Sequence, residues 1–574
     1  MEYKWSLKKG GDVELTKELA EQLNIGEDLA SLLINRDIHS FEEARSFFRP
    51  DLSTLHDPFL MKDMDKAVRR LTLAIEESEN ILVYGDYDVD GTTSVSLVYS
   101  FLEKINANVG FYIPDRYKEG YGLSYLGIDF AEENGIDLMI CLDCGIKAVD
   151  KVKYAKDKGI DIIICDHHRP GKTVPDAYAV LDAKQKDCPY PYKELCGCGV
   201  GFKLLQGFVE TNGYDMQDLY KYLDLVSIAI GADIVPITGE NRTLAYYGLK
   251  VINENPRPGI KALMDIAKAP KEMTITDVVF IIGPRINAAG RIHTGARAVE
   301  LLVSDEEETL KKLSVEIDDF NTRRKTLDKS ITREALEMIA NDSQLMNAKS
   351  SVVFKRDWHK GVVGIVASRL TEHYYRPTIV LTENDGKATG SARSVKHFDV
   401  YNAIEKCSDL LENFGGHKYA AGLTMKVENI QAFQERFETA VAGSINSDWL
   451  TPEISIEREI DFERITPKFI NVLNQMAPFG PGNMKPVFVT HNCQNTAYSK
   501  ILKESHLKLY VNQINSPQVK MGGIAFGMAD KMKILESGKP FSVAYQVYEN
   551  EWQGNKKIEI MVKDIKLMED ALQN

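Results

Sequence analysis

The chain contains 574 residues and carries 70 basic and 84 acidic side chains, which gives a formal net charge of −14. Its hydrophobic fraction of 44% is typical of globular proteins, and its length predicts about three or four domains. These values exclude a disordered chain, a collagen-like repeat and a small disulfide scaffold. No apolar run approaches the roughly 18 residues that cross a bilayer, and no signal core precedes Asp12. We therefore expect a cytoplasmic protein without a membrane segment.

The first part of the chain divides into a helical region and an α/β region. Residues 1–78 are predicted to form short amphipathic helices, and an alternating pattern of strands and helices follows over residues 79–304. Near-continuous apolar strands joined by helices are typical of a parallel sheet with both faces covered. The predicted strands are 81–84, 109–113, 138–142 and 162–165, and the predicted crossover helices include 92–104 and 149–158.

The second part begins with one long helix, predicted over residues 305–345 because this segment is highly charged and contains no proline or glycine. A second α/β block, 346–447, has strands at 351–354 and 378–381. Residues 448–574 alternate over short stretches, which favours a small all-β barrel of the oligonucleotide-binding (OB) type. The predicted fold class is therefore two α/β domains joined by a long helix, with a carboxy-terminal OB-like barrel.

The eight cysteines do not form the two spaced pairs that are typical of a structural zinc site. They are few for the length of the chain and suggest no secreted disulfide framework. We expect them to be small, mostly buried thiols.

The strongest chemical signal is Asp86-Tyr87-Asp88-Val89-Asp90-Gly91, directly after an apolar strand. Alternate side chains of an extended segment point the same way, so the three carboxylates would lie together and repel one another unless cations were bound. Oxygen ligands of this kind suit Mg²⁺ or Mn²⁺. The alternative is a turn in which one Asp caps the following helix, but this explains one Asp and not three.

Two further strand ends carry the same kind of residue. Asp143 follows the strand at 138–142, and Asp166-His167-His168 follows the strand at 162–165. Because functional residues in open parallel sheets gather at the carboxyl ends of the strands, we expect all three segments to converge. Asp233, at the end of an apolar helix, is a fourth candidate, although alone it would more often be a surface residue.

These segments resemble the signature motifs of the DHH phosphoesterase superfamily. Gly390-Ser391-Ala392-Arg393-Ser394 and Gly415-Gly416-His417 resemble its DHH-associated domain. The segments 114–116, 283–291 and 358–364 are similar to those of the bacterial single-stranded-DNA exonucleases of the superfamily. The resemblance extends from about residue 30 to near the carboxyl terminus, and it makes residues 79–304 the DHH catalytic domain and residues 346–447 the associated domain.

The resemblance implies two divalent metal ions, Mn²⁺ or Mg²⁺. It assigns Asp86, Asp88 and Asp143 to one ion. It assigns Asp90, Asp143, His167 and Asp233 to the other, with Asp143 as the bridge. His168 would contact the scissile phosphate and, with Asp90 and Asp143, would form the catalytic set.

The resemblance also implies residues that bind the substrate. Arginine side chains suit bidentate contacts with phosphate, glycines allow close approach of the backbone, and an exposed tyrosine can stack on a base. For Arg291 the alternative is a structural ion pair, and for the Gly-Gly pair it is a simple turn. The candidates are Arg116, Tyr121, Arg285, Asn287, Arg291, His359, Ser391, Arg393, Gly415, Gly416 and His417.

The implied function is 5′-to-3′ hydrolysis of single-stranded DNA to mononucleotides, in DNA repair and recombination. One alternative is a DHH phosphodiesterase that cleaves short oligonucleotides or cyclic dinucleotides, and another is a non-catalytic replication scaffold on the same fold. The implied partners are single-stranded DNA, a single-strand-binding protein and a helicase, and the implied quaternary state is a monomer.

Overall fold

The computed structural model describes residues 2–552 and 554–571 and divides the chain into two compact units. Residues 49–326 and 478–484 form one unit, and residues 1–48, 327–477 and 485–574 form the other. In chain order the strands are β1 (Lys4–Leu7), β2 (Ile81–Gly85), β3 (Val109–Tyr112), β4 (Leu138–Leu142), β5 (Asp161–Cys165), β6 (Ala179–Leu181), β7 (Ser351–Phe354), β8 (Thr378–Asn384), β9 (Lys387–Arg393), β10 (Asn413–His417), β11 (Ala420–Lys426), β12 (Glu453–Ile456), β13 (Arg458–Glu459), β14 (Phe488–Asn495), β15 (Lys500–Leu502), β16 (His506–Gln513), β17 (Ser516–Ala525), β18 (Phe541–Trp552) and β19 (Asn555–Leu567). The helices of eight or more residues are Val13–Leu23, Glu27–Ile34, Phe41–Phe48, Met64–Glu76, Val89–Lys104, Tyr125–Glu133, Val149–Asp157, Gly197–Asn212, Leu223–Ala232, Gly239–Glu254, Pro258–Ala267, Gly283–Ile292, Ala296–Val303, Glu307–Ala340, Val363–Tyr374, Ile430–Ala442 and Pro467–Gln475.

The unit that contains residues 49–326 is built on a five-stranded parallel sheet in the order β3-β2-β4-β5-β6. Successive residues of each strand point to opposite faces, and both faces are buried. Val83 and Ile140 belong to one apolar core, whereas their neighbours Leu82 and Met139 belong to another. This covered parallel sheet confirms the fold predicted for the region, and the short strand β6 is an addition to it.

The other unit contains two further sheets. The first has the order β10-β11-β9-β8-β7, in which only the β7–β8 pair is parallel. The second has the order β13-β14-β18-β19-β17-β16-β15, and an additional pairing of β14 with β16 closes it into a barrel. The OB-like barrel is thus confirmed, although its segment also includes the helix Pro467–Gln475.

A short strand lies in the amino-terminal segment for which the sequence predicts helices. β1 pairs in parallel with β12, from Lys4 opposite Glu453 to Leu7 opposite Ile456. The Trp5 side chain is buried, and its indole N–H donates to the Asp564 carboxylate over 2.9 Å. The helical pattern did not predict this strand because its pairing partner is distant in sequence.

The predicted long helix is present as Glu307–Ala340, and the boundary between the two units falls within it. Some of its charges form ion pairs on each side of that boundary. Asp318 pairs with Arg285 at 2.9 Å in one unit, and Asp328 pairs with Arg369 at 2.8 Å in the other.

Two composition-based expectations can be compared with the structure. All eight cysteines are buried as free thiols, as predicted. Among the described residues, no helix combines the length and the apolarity that a membrane span requires.

Candidate metal centre and substrate contacts

The predicted acidic residues converge at one edge of the parallel sheet. Asp86, Asp143 and Asp166 follow directly after β2, β4 and β5, three strands that are adjacent in the sheet. Asp90 lies in the first turn of the helix Val89–Lys104, and Asp233 caps the end of the helix Leu223–Ala232. The convergence expected from the strand ends is therefore present in the fold.

Asp143 has an unusual backbone conformation for a residue other than glycine. Its φ is +57°, in the left-handed region that costs energy for most side chains. The start of the helix Gly197–Asn212 packs against it, since a Cβ atom on Gly197 would lie 2.5 Å from the Cβ atom of Asp143. Strain of this kind persists only where the surrounding structure imposes it, and it is common at functional sites.

His167 lies at the centre of the cluster. Its Nε2 atom is 3.1 Å from Asp143 Oδ1, 3.6 Å from Asp233 Oδ2 and 3.7 Å from Asp90 Oδ2. Two three-residue sets have donor atoms within 4.8 Å of one another: Asp90 with His167 and Asp233, and Asp143 with His167 and His168. The structure thus brings together the four residues that the resemblance assigns to one ion.

Several atoms of this cluster that could coordinate a metal ion are buried and lack a hydrogen-bond partner within the described residues. They include His167 Nε2, Asp143 Oδ1 and Asp86 Oδ2. Buried polar atoms are normally paired, because an unpaired one costs about 1–3 kcal/mol. Unpaired imidazole nitrogen and carboxylate oxygens that face one another fit divalent cations such as Mn²⁺ or Mg²⁺.

The residues of the Asp86–Asp90 segment have different surroundings. Asp88 Oδ1 accepts from the backbone N–H of Gly91 at 3.1 Å and caps the helix Val89–Lys104, so the capping alternative describes this one carboxylate. Asp90 accepts from the backbone N–H groups of Gly197 and Cys198 at 2.6 and 2.8 Å. Asp86 and Asp88 are not part of a set with donor atoms within 4.8 Å, so the ligand set of the other ion stays a prediction.

Burial and mutual repulsion shape the electrostatics of the cluster. Burial, followed by the charge of Asp88, raises the pKa of Asp90 to about 7, and burial with the charge of Asp90 raises the pKa of Asp233 to about 8. The same causes hold the pKa values of Asp86 and Asp143 well above the ordinary range. Burial, with the charge of His168, lowers the pKa of His167 to about 3, so its imidazole is neutral and can donate a lone pair. These carboxylates cannot all be ionised together unless a cation compensates them.

His168 is held by Asp166, a residue of the converging segments to which the resemblance assigns no role. Its Nδ1 atom is 2.7 Å from Asp166 Oδ1, and its Nε2 atom is 3.1 Å from the hydroxyl of Tyr121. Although burial opposes ionisation, the hydrogen bond from His168 lowers the pKa of Asp166 to about 2, and Asp166 in turn raises the pKa of His168. The first residue of the Asp-His-His motif thus positions the third, and the motif itself was the available signal.

Other predicted substrate contacts lie in the same unit. The guanidinium carbon of Arg116 is 3.9 Å from the ring centre of Tyr87, and its positive charge opposes the rise in the pKa of Asp86. Arg285 instead forms the ion pair with Asp318 and donates to a backbone carbonyl of its own segment. Asn287 Oδ1 is buried without a partner among the described residues. Arg291 accepts at its backbone carbonyl a hydrogen bond from the hydroxyl of Tyr117.

The remaining candidates lie in the other unit, on the sheet β10-β11-β9-β8-β7. Two rows of paired residues cross this sheet: Ser391 with Gly422 and Gly415, and Arg393 with Ala420 and His417. Because residues in one row share a face and alternate residues of a strand share a face, all six lie on the same side. We call these six residues the glycine-lined face.

The glycine-lined face is open in the middle and basic at one side. A Cβ atom on Gly415 would meet nothing within 4 Å. Gly416 is not one of the six residues; its φ is +143°, and a Cβ there would lie 2.3 Å from the carbonyl oxygen of Ala420. Arg393 donates to Ser391 Oγ at 2.6 Å and has no carboxylate partner among the described residues. Burial therefore lowers the pKa of Arg393.

His359 lies just before the helix Val363–Tyr374. Its Nδ1 atom accepts from the backbone N–H of Gly361 at 3.1 Å. Gly364, in the first turn of this helix, lies so close to Arg393 and Ser391 that a Cβ there would be 3.0 and 3.2 Å from their side chains. Gly422, which lies in the same row as Ser391 and Gly415, is not among the residues predicted from the sequence.

Models of three domain families match the chain. The DHH family N-terminal domain matches residues 80–230, the DHHA1 domain matches residues 346–443, and the RecJ OB domain matches residues 456–564. The first two domains correspond to the motifs quoted for the superfamily, and the third corresponds to the barrel.

Relatives and solved structures agree with these domains. The chain is 37% identical to the single-stranded-DNA-specific exonuclease RecJ of Bacillus subtilis (strain 168), over 99% of this chain and 71% of that protein. The structure of RecJ from Thermus thermophilus in complex with Mn²⁺ superposes with a TM-score of 0.84 at 27% identity, over 98% of this chain and 79% of that one. The Mg²⁺ complex of the same protein gives a TM-score of 0.78 at 25% identity, over 98% and 78%.

Proposed function

The chain belongs to the RecJ family of single-stranded-DNA-specific exonucleases, and from this premise we propose that it degrades single-stranded DNA from the 5′ end to mononucleotides. It is a metal-dependent phosphodiester hydrolase, and its cofactors are divalent cations, Mn²⁺ or Mg²⁺. The 5′-to-3′ direction of digestion and the release of mononucleotides are supported by the resemblance of the chain's motifs to those of the family.

One observation carries the proposal: Asp90, Asp143, His167 and Asp233 converge at the end of the sheet, where Asp143 Oδ1 and His167 Nε2 are buried without a hydrogen-bond partner among the described residues. A non-catalytic scaffold has no reason to retain this arrangement, because buried carboxylates without a counter-charge destabilise a fold. The cost is explained if the cluster holds cations during a reaction.

The residues of the chain have separate tasks in the proposed reaction. Asp90, Asp143, His167 and Asp233 would hold one cation, and Asp86 and Asp88 would join Asp143 at the other. When bound, divalent cations activate a water molecule and neutralise the charge that develops on the phosphate. Gly197 and Cys198 fix the carboxylate of Asp90 through their backbone N–H groups.

We propose that His168 contacts the phosphate rather than serving as a metal ligand. Its bond to Asp166 fixes the orientation of the ring and favours a proton on Nδ1, since an anionic partner stabilises that N–H. In that tautomer its Nε2 atom accepts a hydrogen bond from the hydroxyl of Tyr121. The exposed ring of Tyr121 can stack on a base while its hydroxyl orients His168.

Binding of single-stranded DNA of any sequence requires protein contacts that do not depend on the bases. Arg116 lies beside the metal centre, and Arg393 lies on the glycine-lined face without a carboxylate partner among the described residues. The barrel adds exposed aromatic rings at Tyr498 and Phe526, and Lys557 lies 5.6 Å from the ring of Tyr510. Rings of this kind beside lysines are typical of surfaces that bind single strands without reading sequence.

Protein partners are also part of the proposal. A single-strand-binding protein and a helicase would supply the single strand during repair and recombination, and the resemblance suggests that the enzyme acts as a monomer. Analytical ultracentrifugation of the full chain at micromolar concentration tests the last point.

The decisive experiment is digestion of single-stranded DNA by the full chain in Mn²⁺. Substrates blocked at the 5′ end or at the 3′ end are compared with a duplex and with a dinucleotide. We expect hydrolysis to stop with the 5′ block and with a chelator, to continue with the 3′ block, and to spare the duplex.

Two matched variants control the assignment. Asp90→Asn, in the metal centre, should lose hydrolysis and retain strand binding, whereas Asp150→Asn, at an exposed position of the helix Val149–Asp157, should retain both. Cleavage of the dinucleotide alone would favour the short-oligonucleotide alternative. Strand binding by the wild-type chain without hydrolysis of any substrate would favour the scaffold.

A further inference from the structure

A cavity of about 740 Å³ lies beside the metal centre and is lined by none of the predicted site residues. Its walls come from three segments of one unit: residues 169–174 after β5, residues 183–187 after β6, and residues 193–194 before the helix Gly197–Asn212. Ligand sites in proteins commonly enclose about 300–1,000 Å³. The cavity is therefore large enough for a small organic ligand.

The cavity is close to the metal centre because of the topology of the sheet. β6 pairs directly with β5, from Ile163 opposite Ala179 to Cys165 opposite Leu181. Adjacent strands lie about 4.8 Å apart, so the segments after β5 and β6 begin side by side. The segment after β5 supplies His167 and His168 and continues without a break into Arg169, the first residue of the cavity wall.

The lining carries an excess of positive charge in a chain whose net charge is −14. Its two carboxylates are already engaged, since Asp187 pairs with Lys62 at 2.6 Å and Glu194 lies 3.5 Å from Lys184. Among the described residues, no carboxylate partner exists for three of the cations, which are Arg169, Lys172 and Lys186. The other two cations of the lining are Lys184 and Lys193.

Part of the cavity wall is apolar. Val174 and Ala183 contribute apolar wall, and Ala183 is buried in the main apolar core. The cavity therefore offers cations to an anionic group and an apolar wall to an organic one, next to the place where phosphodiester bonds are cleaved.

We infer that this cavity is an anion subsite for the phosphate of a nucleotide. The inference rests on the proposed function, because hydrolysis of a phosphodiester produces a phosphate monoester that carries about −1.5 to −2 charges at pH 7. Two sources share this chemistry: the released mononucleotide, and a phosphate of the strand next to the scissile bond. Several lysines with one arginine suit either source, since ammonium groups bind phosphate as point charges without one fixed geometry.

The test compares two triple variants of the full chain with the wild type. The cavity variant combines Arg169→Ala, Lys172→Ala and Lys186→Ala, three exposed positions at which truncation removes charge and little buried surface. The control variant combines Lys153→Ala, Lys271→Ala and Lys311→Ala, three exposed lysines of the same unit that lie outside the cavity lining. Both variants lose three positive charges.

Three quantities are measured in Mg²⁺ for each protein. They are the dissociation constant of 5′-dAMP by calorimetry, its inhibition constant during digestion of single-stranded DNA, and the KM for that DNA. We expect the cavity variant to raise at least one of these three constants about tenfold or more. We expect the control variant to change each of them less than about twofold.

The pattern of changes identifies the source of the phosphate. A rise in the dissociation and inhibition constants of 5′-dAMP with an unchanged KM assigns the cavity to the product, and the reverse pattern assigns it to the strand. Equal changes in both triple variants, or no change in either, would overturn the subsite. Failure of the wild type to digest DNA would contradict the proposed function alone, because calorimetry with 5′-dAMP still tests the cavity.

Discussion

The metal centre and the glycine-lined face solve opposite electrostatic problems. The metal centre concentrates buried carboxylates, of which Asp86 and Asp143 each have an oxygen without a hydrogen-bond partner among the described residues, and the backbone of Asp143 is strained. The glycine-lined face instead holds a half-buried cation, Arg393, without a carboxylate partner among the described residues, beside glycines that leave open space. One region is thus prepared for cations and the other for anions.

The two regions also differ in how their residues are held. Backbone N–H groups and a tightly packed helix start fix the acids of the metal centre, so small errors of position are costly there. The glycine-lined face depends on missing side chains, which leave room for a ligand. We therefore expect substitutions in the first region to lower kcat and substitutions in the second to raise KM.

The largest effect is expected from Asp143→Asn. The carboxamide keeps the shape of the side chain, and Asn tolerates the left-handed conformation at this position. Loss of a ligand carboxylate should lower kcat/KM on single-stranded DNA on the order of 10³-fold. Steady-state digestion in Mn²⁺ measures this loss.

Thermal unfolding distinguishes a lost ligand from a damaged fold. Without added metal, the Tm of Asp143→Asn should equal or exceed that of the wild type, since one buried and repelled carboxylate is removed. Mn²⁺ should raise the Tm of the wild type, because a ligand of the native state stabilises it, and should raise that of the variant less. Full activity of Asp143→Asn would remove it from the metal centre.

A smaller effect is expected from Arg393→Ala. Charge-assisted hydrogen bonds to phosphate contribute about 1.5–3 kcal/mol, so KM should rise about 10- to 100-fold while kcat changes little. Arg356→Ala is the control, since this exposed arginine lies in the same domain and its partner is Glu383. If kcat falls and KM is constant, Arg393 acts in the chemical step and the contrast between the two regions fails.

Gly415→Val tests the empty space on the glycine-lined face. A Cβ atom at this position meets nothing within 4 Å and valine favours strands, so the fold should tolerate the change. The added side chain should obstruct a ligand and raise KM about 5- to 10-fold. Gly10→Val, where a Cβ also meets open space, should leave KM unchanged. An unchanged KM for Gly415→Val would mean that the DNA does not contact the row formed by Gly415, Gly422 and Ser391.

The smallest effect is expected from Tyr121→Phe. The ring remains available for stacking, and the hydroxyl loses its 3.1 Å contact with His168 and its 3.4 Å hydrogen bond to the backbone carbonyl of Asp143. A single neutral hydrogen bond contributes about 0.5–1.5 kcal/mol, so kcat should fall about 2- to 10-fold. Tyr99→Phe, whose exposed hydroxyl bonds Glu103, provides the comparison. Equal kcat values for both variants would show that the hydroxyl of Tyr121 does not orient His168 during the reaction.

The sequence predicted the sheet of the metal centre well because its strands are short apolar runs with acids at their ends. It predicted the glycine-lined face only through a resemblance, since β10 and β11 contain glycines that strand propensity disfavours. It could not predict the left-handed backbone of Asp143, which depends on how other segments pack around it. The bonds of Gly197 and Cys198 to Asp90 join residues more than 100 positions apart, and no local pattern marks them.

The pairing of β1 with β12 has a consequence for how the chain is made. Trp5 and the Asp564 carboxylate that it contacts are 559 residues apart. At the usual rate of about 5–20 residues per second, a ribosome needs about half a minute to two minutes to synthesise the intervening chain. For most of that time the first strand lacks its neighbour β12, and until the end of it the strand also lacks its hydrogen-bond acceptor. A shortened chain that ends before β12 never acquires either. A nascent or truncated chain would therefore expose the Trp5 side chain. Removal of the barrel would disturb the amino-terminal segment in addition to removing the contacts that the barrel itself makes with DNA.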